Sequence, residues 1–529
     1  MTSRPAAADR AAIGAGLAPA REARSVRPGE RIHVVGAAGA GASAAALLAH
    51  AAGAAVSGCD SGGPSQYTPA LRAAGIELAW EHDPTHVSGS RAAPDRLAVT
   101  KALTAIAPNH PELGAARAAG IPIEAWQQVV ADAAVGRRLV AVAGTHGKST
   151  SAGWLVHVLI SGGADPSAFV GALLPAADAG GLPATARIGG GAAFVVEADE
   201  YAGNFDPYRP SIAIVTSAEW DHPDVFADRA AVVATFDNWL RGARPGPDGV
   251  PPTLVANVAD PGVAELVAGL GDWPGRLVAT AIVEADSQRL AGHAREIQDR
   301  FATGLGPAAA LLGRIVATAP DSTSFEIHGL GDTAAPIAVA LPTAGRHNAA
   351  NALGVAGAAD ALGLEAAVIC RGLASFPGVG RRLERKGEAS GVAVYDDYGH
   401  HPTAIRETIA AIRQREPGRR VWAVYEPLTY HRTAALLDEF AAALAEADAV
   451  AIADIWAGRD RDTSVASAAG LAEAVSRLRP ELAVAAPGSV ESTAAWLAGQ
   501  VRAGDAVLVM GGGRSYRIGE LLLEELNGR

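Results

Sequence analysis

Apolar residues in this chain gather into short continuous runs, with helix-spaced stretches between them. A run that is apolar at every position is what a strand covered on both faces requires, so the pattern predicts parallel sheets between layers of helix. Arg31–Gly36, Leu97–Thr100 and Ile121–Ile123, with intervening helices, make one β-α alternation that ends near residue 135. Leu139–Ala143, Ala193–Val196 and Ser211–Thr216 make a second; Val392–Tyr395, Val421–Tyr425, Ala449–Asp454 and Ala506–Met510 make a third. Between residues 240 and 340, Gly and Pro break the pattern into β-like pieces (Arg314–Thr318, Thr323–His328, Ile337–Leu341), expected to extend or cover the second unit. The fold class is therefore α/β with three domains. Residues 30–135 form a Rossmann-like domain, 136–377 a central P-loop ATPase-type parallel-sheet domain, and 378–529 a Rossmann-like α/β domain. Residues 1–29 are rich in Ala, Arg and Pro with no continuous apolar core, and are expected to be a disordered tail, neither secretory signal nor membrane anchor.

The punctuation between these elements carries the chemistry. After Leu139–Ala143 come Gly144, Thr145, His146 and Gly147, a tight turn, and then Lys148, Ser149 and Thr150, which open a helix running to about Ile160. Strand, glycine turn and helix N-terminus together form a cradle for polyphosphate, because backbone N–H groups close on the oxygens. Lys148 would then reach the outer phosphates and the Ser149 hydroxyl would ligate Mg²⁺. Lysine stands only at 101, 148 and 386 in the whole sequence, which weighs against an accidental Gly-Lys-Ser. The turn reads as an ATP site.

Two acidic clusters stand at the carboxyl ends of two parallel strands, where α/β sheets bind ligands. One is Glu197-Ala-Asp199-Glu200-Tyr201; the other is Glu219-Trp-Asp221-His222. Carboxylates and an imidazole beside a phosphate loop suit Mg²⁺; surface acids are the plain alternative. In the first unit Gly39 and Gly41 form a loose nucleotide-binding fingerprint, with Asp60 about 20 residues on. There, phosphate binding with Asp60 on a sugar or base stands against simple packing. His347 and Asn348 lie in the first turn of a later helix, with Asn351 three residues on along the same face; the amides there either read an adenine edge or, for Asn348, cap the helix. The adjacent His400 and His401 cannot share a helix face and lack a third spaced ligand, so they are not read as a zinc site.

Composition bounds the rest. At 529 residues the chain exceeds one core, and a net charge of −12 gives no footprint for nucleic acid or an anionic membrane. Cys59 and Cys370 form neither a spaced metal motif nor a disulfide framework, which fits a cytoplasmic protein.

In this order, the segments Gly144-THGKST, Glu197-ADEY, Val215-TSAEWDH222, Gly345-RHNAAN351, Gly378-VGRRLE384 and Tyr395-DDYGHHPT403 resemble the Mur ligases, over residues 30 to about 525. The resemblance implies an ATP- and Mg²⁺-dependent amide ligase of peptidoglycan synthesis, a monomer or homodimer with small-molecule substrates. The first domain would hold UDP-N-acetylmuramate through Gly39, Gly41, Asp60, Thr100 and Ala102. The second would hold ATP through residues 144–150 with His347, Asn348 and Asn351, and metal through Ser149, Glu200 (rather than Glu197) and His222. The third would bring Arg382, Asp397, His400 and Arg432 to the reaction, with Tyr398 and His401 at the amino acid. Some relatives hold a second metal with a carbamylated lysine; no lysine lies between 148 and 386, so the resemblance implies the alanine-adding branch or the branch that recycles murein tripeptide. Ala37 and Ala38 stand where the family has Ile-Gly, and Ser149 where threonine is commoner. Glu426-Pro-Leu428 replaces Gln-Pro-His, and Gly512-Gly-Arg514 replaces Ala-Gly-Asp. A catalytically silent nucleotide-binding paralogue is the alternative from another class, against which the retention of Lys148, Glu200, His222 and Asp397 together argues.

Overall fold

Each β-α alternation builds its own sheet. The computed structural model describes residues 13–88, 93–284, 287–331, 333, 335–458, 460 and 462–528. Among them the chain forms a five-stranded, a ten-stranded and a six-stranded sheet and one two-stranded hairpin. The first sheet is wholly parallel, in the order Leu78–Ala79, Ala55–Cys59, Arg31–Val35, Arg96–Val99, Ile123–Ala125. Its strand order reverses direction beside Arg31–Val35, so the glycine turn after that strand opens at a switch point.

In the ten-stranded sheet Arg138–Ala143 lies between Ile212–Val215 and Ala193–Glu197, all parallel. Its residues alternate between two cores: Val140 and Val142 face the helices Lys148–Ser161 and Arg346–Ala361, while Ala141 and Ala143 face the other side. That double burial is why the strand reads as apolar throughout. The pieces expected from residues 240–340 extend this sheet as Ala309–Ala319, Ser322–His328 and Ile337–Leu341, an antiparallel edge. The six-stranded sheet runs Glu384–Ala389, Val392–Asp397, Asp505–Gly511, Arg420–Glu426, Ala449–Ala453, Ala483–Gly488, with the first strand antiparallel to the rest.

One expectation needs correction. Residues 13–29 are not a disordered tail; they run along the first sheet (residues 1–12 lie outside the described residues). Ala18 N donates to Ile123 O at 2.8 Å, and Val26 enters the core. The ordering is electrostatic, which hydrophobic periodicity does not register. Glu30, Glu124 and Asp132 are buried around the guanidinium of Arg96, which is 2% exposed. One arginine cannot answer three buried carboxylates. Arg21 adds bonds to Glu124 (2.8 Å) and Asp132 (2.7 Å), and Arg24 adds one to Glu30 (2.5 Å). Arg21→Ala is expected to cost about 1–2 kcal/mol, less than a fully buried pair because Arg21 is part-exposed and Arg96 remains. Thermal unfolding of that variant checks it; an unchanged melting temperature would mark the segment as dispensable.

Candidate active site

The turn after Arg138–Ala143 is set between the carboxyl ends of two strands, each followed by an acidic cluster. Gly144 (φ 133°) and Gly147 (φ 78°) take left-handed conformations that favour glycine. A Cβ at Gly147 would stand 2.5 Å from Asn351 Oδ1, and one at Gly144 would collide with Thr216 Oγ1. The turn is braced from the neighbouring strand: Thr145 N donates to Ser217 O (3.1 Å), His146 N to Ser217 Oγ (2.9 Å), and Thr216 Oγ1 to His146 O.

Lys148 opens the following helix and folds back over this turn, donating to Gly144 O (2.6 Å) and Glu200 Oε2 (3.0 Å), with Asp199 at 3.8 Å. Burial works against its charge, but Glu200, Asp199 and Glu197 outweigh burial and hold its pKa above the ordinary value. Burial pushes Glu200 up to about 7 although Lys148 pulls the other way. Asp199, against the same burial, is held low by Lys148 and His222. The donor atoms of Asp199, Glu200 and His222 all lie within 4.8 Å of one another. Two carboxylates and an imidazole beside a phosphate loop fit a hard divalent cation. Asp199 and His222 line the cleft, whereas Glu200 is 1% exposed and sits behind Lys148. Ser149 is engaged elsewhere: its hydroxyl donates to Glu197 Oε1 (2.9 Å) and accepts from Arg382 Nη2 (2.8 Å). Asp199 and Glu197 were visible in the acidic cluster, but the sequence could not show which carboxylate points where.

The third domain reaches this floor along three paths. Arg381 (φ 58°) and Leu383 (φ 48°) are strained non-glycine residues, and the turn they make aims Arg382 at Ser149. Asp397 holds that turn: its two carboxylate oxygens accept from Leu383 N and Gly399 N, each at 2.7 Å. Arg432 does not line the cleft; it pairs with Asp221 (2.8 Å) and donates to His222 Nδ1 (2.9 Å). Asp221 is buried yet held well below the usual carboxylate range by Arg432 and the nearby imidazoles. The two adjacent histidines differ. His401 commits both nitrogens, Nε2 to Trp220 O (3.2 Å) and Nδ1 to Thr403 N (3.4 Å), capping the helix Pro402–Arg415. Burial, then the neighbouring His146, lowers its pKa to about 4. His400 Nδ1 faces Tyr398 O at 2.9 Å; a carbonyl only accepts, so Nδ1 carries the proton and Nε2 the lone pair. Burial and Arg432 keep His400 neutral.

One cavity of about 910 Å³ unites these groups. From the first domain it takes Gly41 and Ala102, together with Ile106, Trp126 and Gln127, which sequence reasoning missed; Gly39, Asp60 and Thr100 are not in its wall. The Asp60 carboxylate accepts instead from Ala38 N (3.1 Å) and Gly62 N (2.8 Å), shaping the glycine turn. His347, Asn348, Asn351 and Tyr398 line the cavity. Asn348 is not a helix cap: the N-cap is Gly345, and Asn348 Nδ2 donates to Ala344 O (2.8 Å). Of the three departures in the last domain, Leu428 lines the cavity, Glu426 is buried outside its wall, and Arg514 pairs with Glu491 (3.0 Å) on the surface.

Family models match the chain three times in succession: the Mur ligase family catalytic domain at residues 31–138, the Mur ligase middle domain at 142–359, and the Mur ligase glutamate ligase domain at 381–513. A UDP-N-acetylmuramate–L-alanine ligase from Frankia casuarinae is 35% identical over 521 residues, covering 94% of this chain and 98% of its own. The chain belongs to the Mur ligase family. Among solved structures, this Mur ligase is similar to a UDP-N-acetylmuramate–alanine ligase from Thermotoga maritima (TM-score 0.71, 21% identity, 94% and 99% of the two chains). It is also similar to a murein peptide ligase from Psychrobacter arcticus (TM-score 0.67, 23% identity, 95% and 99%). At these identities both matches concern the fold.

The raised pKa of Glu200 in this Mur ligase has a sign that can be checked. Between its ordinary 4.5 and about 7 the folded chain holds a proton that the unfolded chain has lost, so the Glu200 contribution to stability falls as pH rises through that window. Glu200→Gln is expected to flatten the decline in melting temperature across it. Parallel curves for variant and parent would show that Glu200 ionises normally.

Proposed function

We propose that this Mur ligase couples ATP hydrolysis to formation of an amide between the carboxylate of UDP-N-acetylmuramate and the amine of L-alanine. The observation that carries the reading is Lys148, set on a glycine turn at the floor of one cavity to which all three domains contribute walls. The full-length likeness to ligases of that name supports the choice of substrates.

In this reading the sugar carboxylate attacks the γ-phosphorus of ATP, the β,γ-bridging bond breaks, and ADP leaves an acyl phosphate. The L-alanine amine then adds to the acyl carbon, and the tetrahedral adduct expels inorganic phosphate. The amide N–H groups of the 144–150 turn and Lys148 take up charge on the transferring phosphoryl group. Asp199, Glu200 and His222 would hold Mg²⁺, which supplies further neutralisation of phosphate charge when bound. Arg382, whose guanidinium stands over the Tyr398 ring at 4.9 Å, brings a third-domain cation to the phosphate side. His400, neutral with a lone pair on Nε2, is the base for the proton the amine must lose. Asp397 acts through the turn it pins, and Arg432 through Asp221. Both are positioning residues. The first-domain residues Gly41, Ala102, Trp126 and Gln127 border the space left for the nucleotide sugar. Enclosure matters because an acyl phosphate open to bulk water would hydrolyse.

Lys148→Ala should lower kcat about a thousandfold, roughly 4 kcal/mol of transition-state stabilisation, with the fold unchanged by circular dichroism. Acceptor choice turns on the wall that includes Leu428. Phosphate release with UDP-N-acetylmuramate and ATP is expected with L-alanine as acceptor. Turnover with murein tripeptide alone would assign the chain to recycling instead, and ATP binding without turnover on any acceptor would make it a silent paralogue.

A further inference from the structure

The first domain holds a second concentration of ligating side chains, outside the wall of the cleft. His33 lies in the strand Arg31–Val35, Cys59 ends the strand Ala55–Cys59, His86 lies in the short helix Thr85–Ser88, and Glu112 in the helix Pro111–Ala118. One donor atom from each lies within 4.8 Å of the other three. Cys59 Sγ is 3.1 Å from Glu112 Oε2, His86 Nδ1 is 2.5 Å from Glu112 Oε1, and His33 Nε2 is 3.9 Å from the same oxygen. Around a tetrahedral zinc ion with bonds of about 2.0–2.3 Å, ligand atoms stand about 3.3–3.8 Å apart. Small movements bring this set to that spacing.

Two deficits in the cluster call for a cation. Glu112 is a carboxylate with no exposed surface, and among the described residues no arginine or lysine pairs with it; it accepts from Asp83 N (3.3 Å), and its other partners are imidazoles and a thiol. Burying such a charge is costly without a counter-charge. His33 is 3% exposed, and its Nε2, facing the cluster, has no hydrogen-bond partner among the described residues. Its other nitrogen, Nδ1, is 2.9 Å from Ser57 Oγ. With that N–H given to the serine, Nε2 presents a lone pair inward, the arrangement that orients metal-ligating histidines.

We propose that His33, Cys59, His86 and Glu112 bind a structural Zn²⁺ ion. The nitrogen, sulfur and oxygen donor set suits that ion. Thiolate and carboxylate together cancel its charge, so the occupied site is neutral and can stay buried. Four protein ligands leave no open position, which assigns the ion to stability and not to chemistry. It fastens the two strands to the helices Thr85–Ser88 and Pro111–Ala118, which cover that face of the sheet.

The test uses the full-length protein. Dialysed without chelator, it is expected to retain about one Zn²⁺ per chain, and Cys59→Ser to lose it. Replacing zinc with Co²⁺ is expected to give a near-ultraviolet thiolate-to-cobalt band that survives Cys370→Ser. Because the cleft offers no thiol, that band separates this site from metal at Asp199, Glu200 and His222. Ser57→Ala should weaken Zn²⁺ binding by roughly tenfold. A wild-type protein that takes up no more Zn²⁺ than Cys59→Ser overturns the proposal. A Co²⁺ spectrum without the thiolate band does so equally, and decides the matter even if Cys59→Ser fails to fold.

Discussion

The arrangement of the cleft depends on one buried ion pair, Asp221 with Arg432. Asp221 lies in the loop that follows the strand Ile212–Val215 of the ten-stranded sheet; Arg432 belongs to the helix Tyr430–Ala435 of the third domain. They are 3% and 2% exposed and 2.8 Å apart. Among the described residues Nε and Nη1 of Arg432 are buried without hydrogen-bond partners, and its charge meets Asp221 and the bond to His222. Separating two such desolvated ions leaves each uncompensated, which makes the contact far stronger than a surface salt bridge. While it holds, His400, Tyr398 and Arg382 stay over the phosphate turn.

Other joins between the domains are polar as well. Lys101 of the first domain donates to Ala202 O (2.8 Å) and Gly203 O (2.7 Å), gripping the segment just after Glu200. Thr403 Oγ1 donates to Glu219 (2.6 Å), so the helix after His401 is tied to the second acidic cluster. Apolar packing adds to these: Trp126 meets Phe169 edge-on at 5.1 Å, between the first and second domains. The walls of the cleft are thus fixed by contacts that lie outside the reacting centre, and closure is what turns separate motifs into one site.

What the sequence revealed was local. The strand, glycine turn and helix at residues 138–161 are legible because each residue acts on its neighbours: apolar runs for double burial, Gly144 and Gly147 for positive φ, Lys148 for the helix start. The three α/β units are legible for the same reason. What it concealed was non-local. The brace of Thr216 and Ser217 on the turn, the anchoring of Asp397 to Leu383 and Gly399, and the grouping of Asp199 and Glu200 with His222 all depend on how the loops at the strand ends meet. The ordering of residues 13–29 rests on charges more than a hundred residues away, and the ligands around Glu112 come one from each successive βα segment, so no spacing motif marks them.

If the Asp221–Arg432 pair holds the third domain over the phosphate turn, the two residues must act as a unit. A double-mutant cycle on kcat/KM with Asp221→Asn and Arg432→Met measures this directly. Each single change should cost nearly as much as both together, with a coupling energy in the range of about 1.5–7 kcal/mol seen for close charge pairs. Costs that simply add would mean the pair does not hold the cleft together.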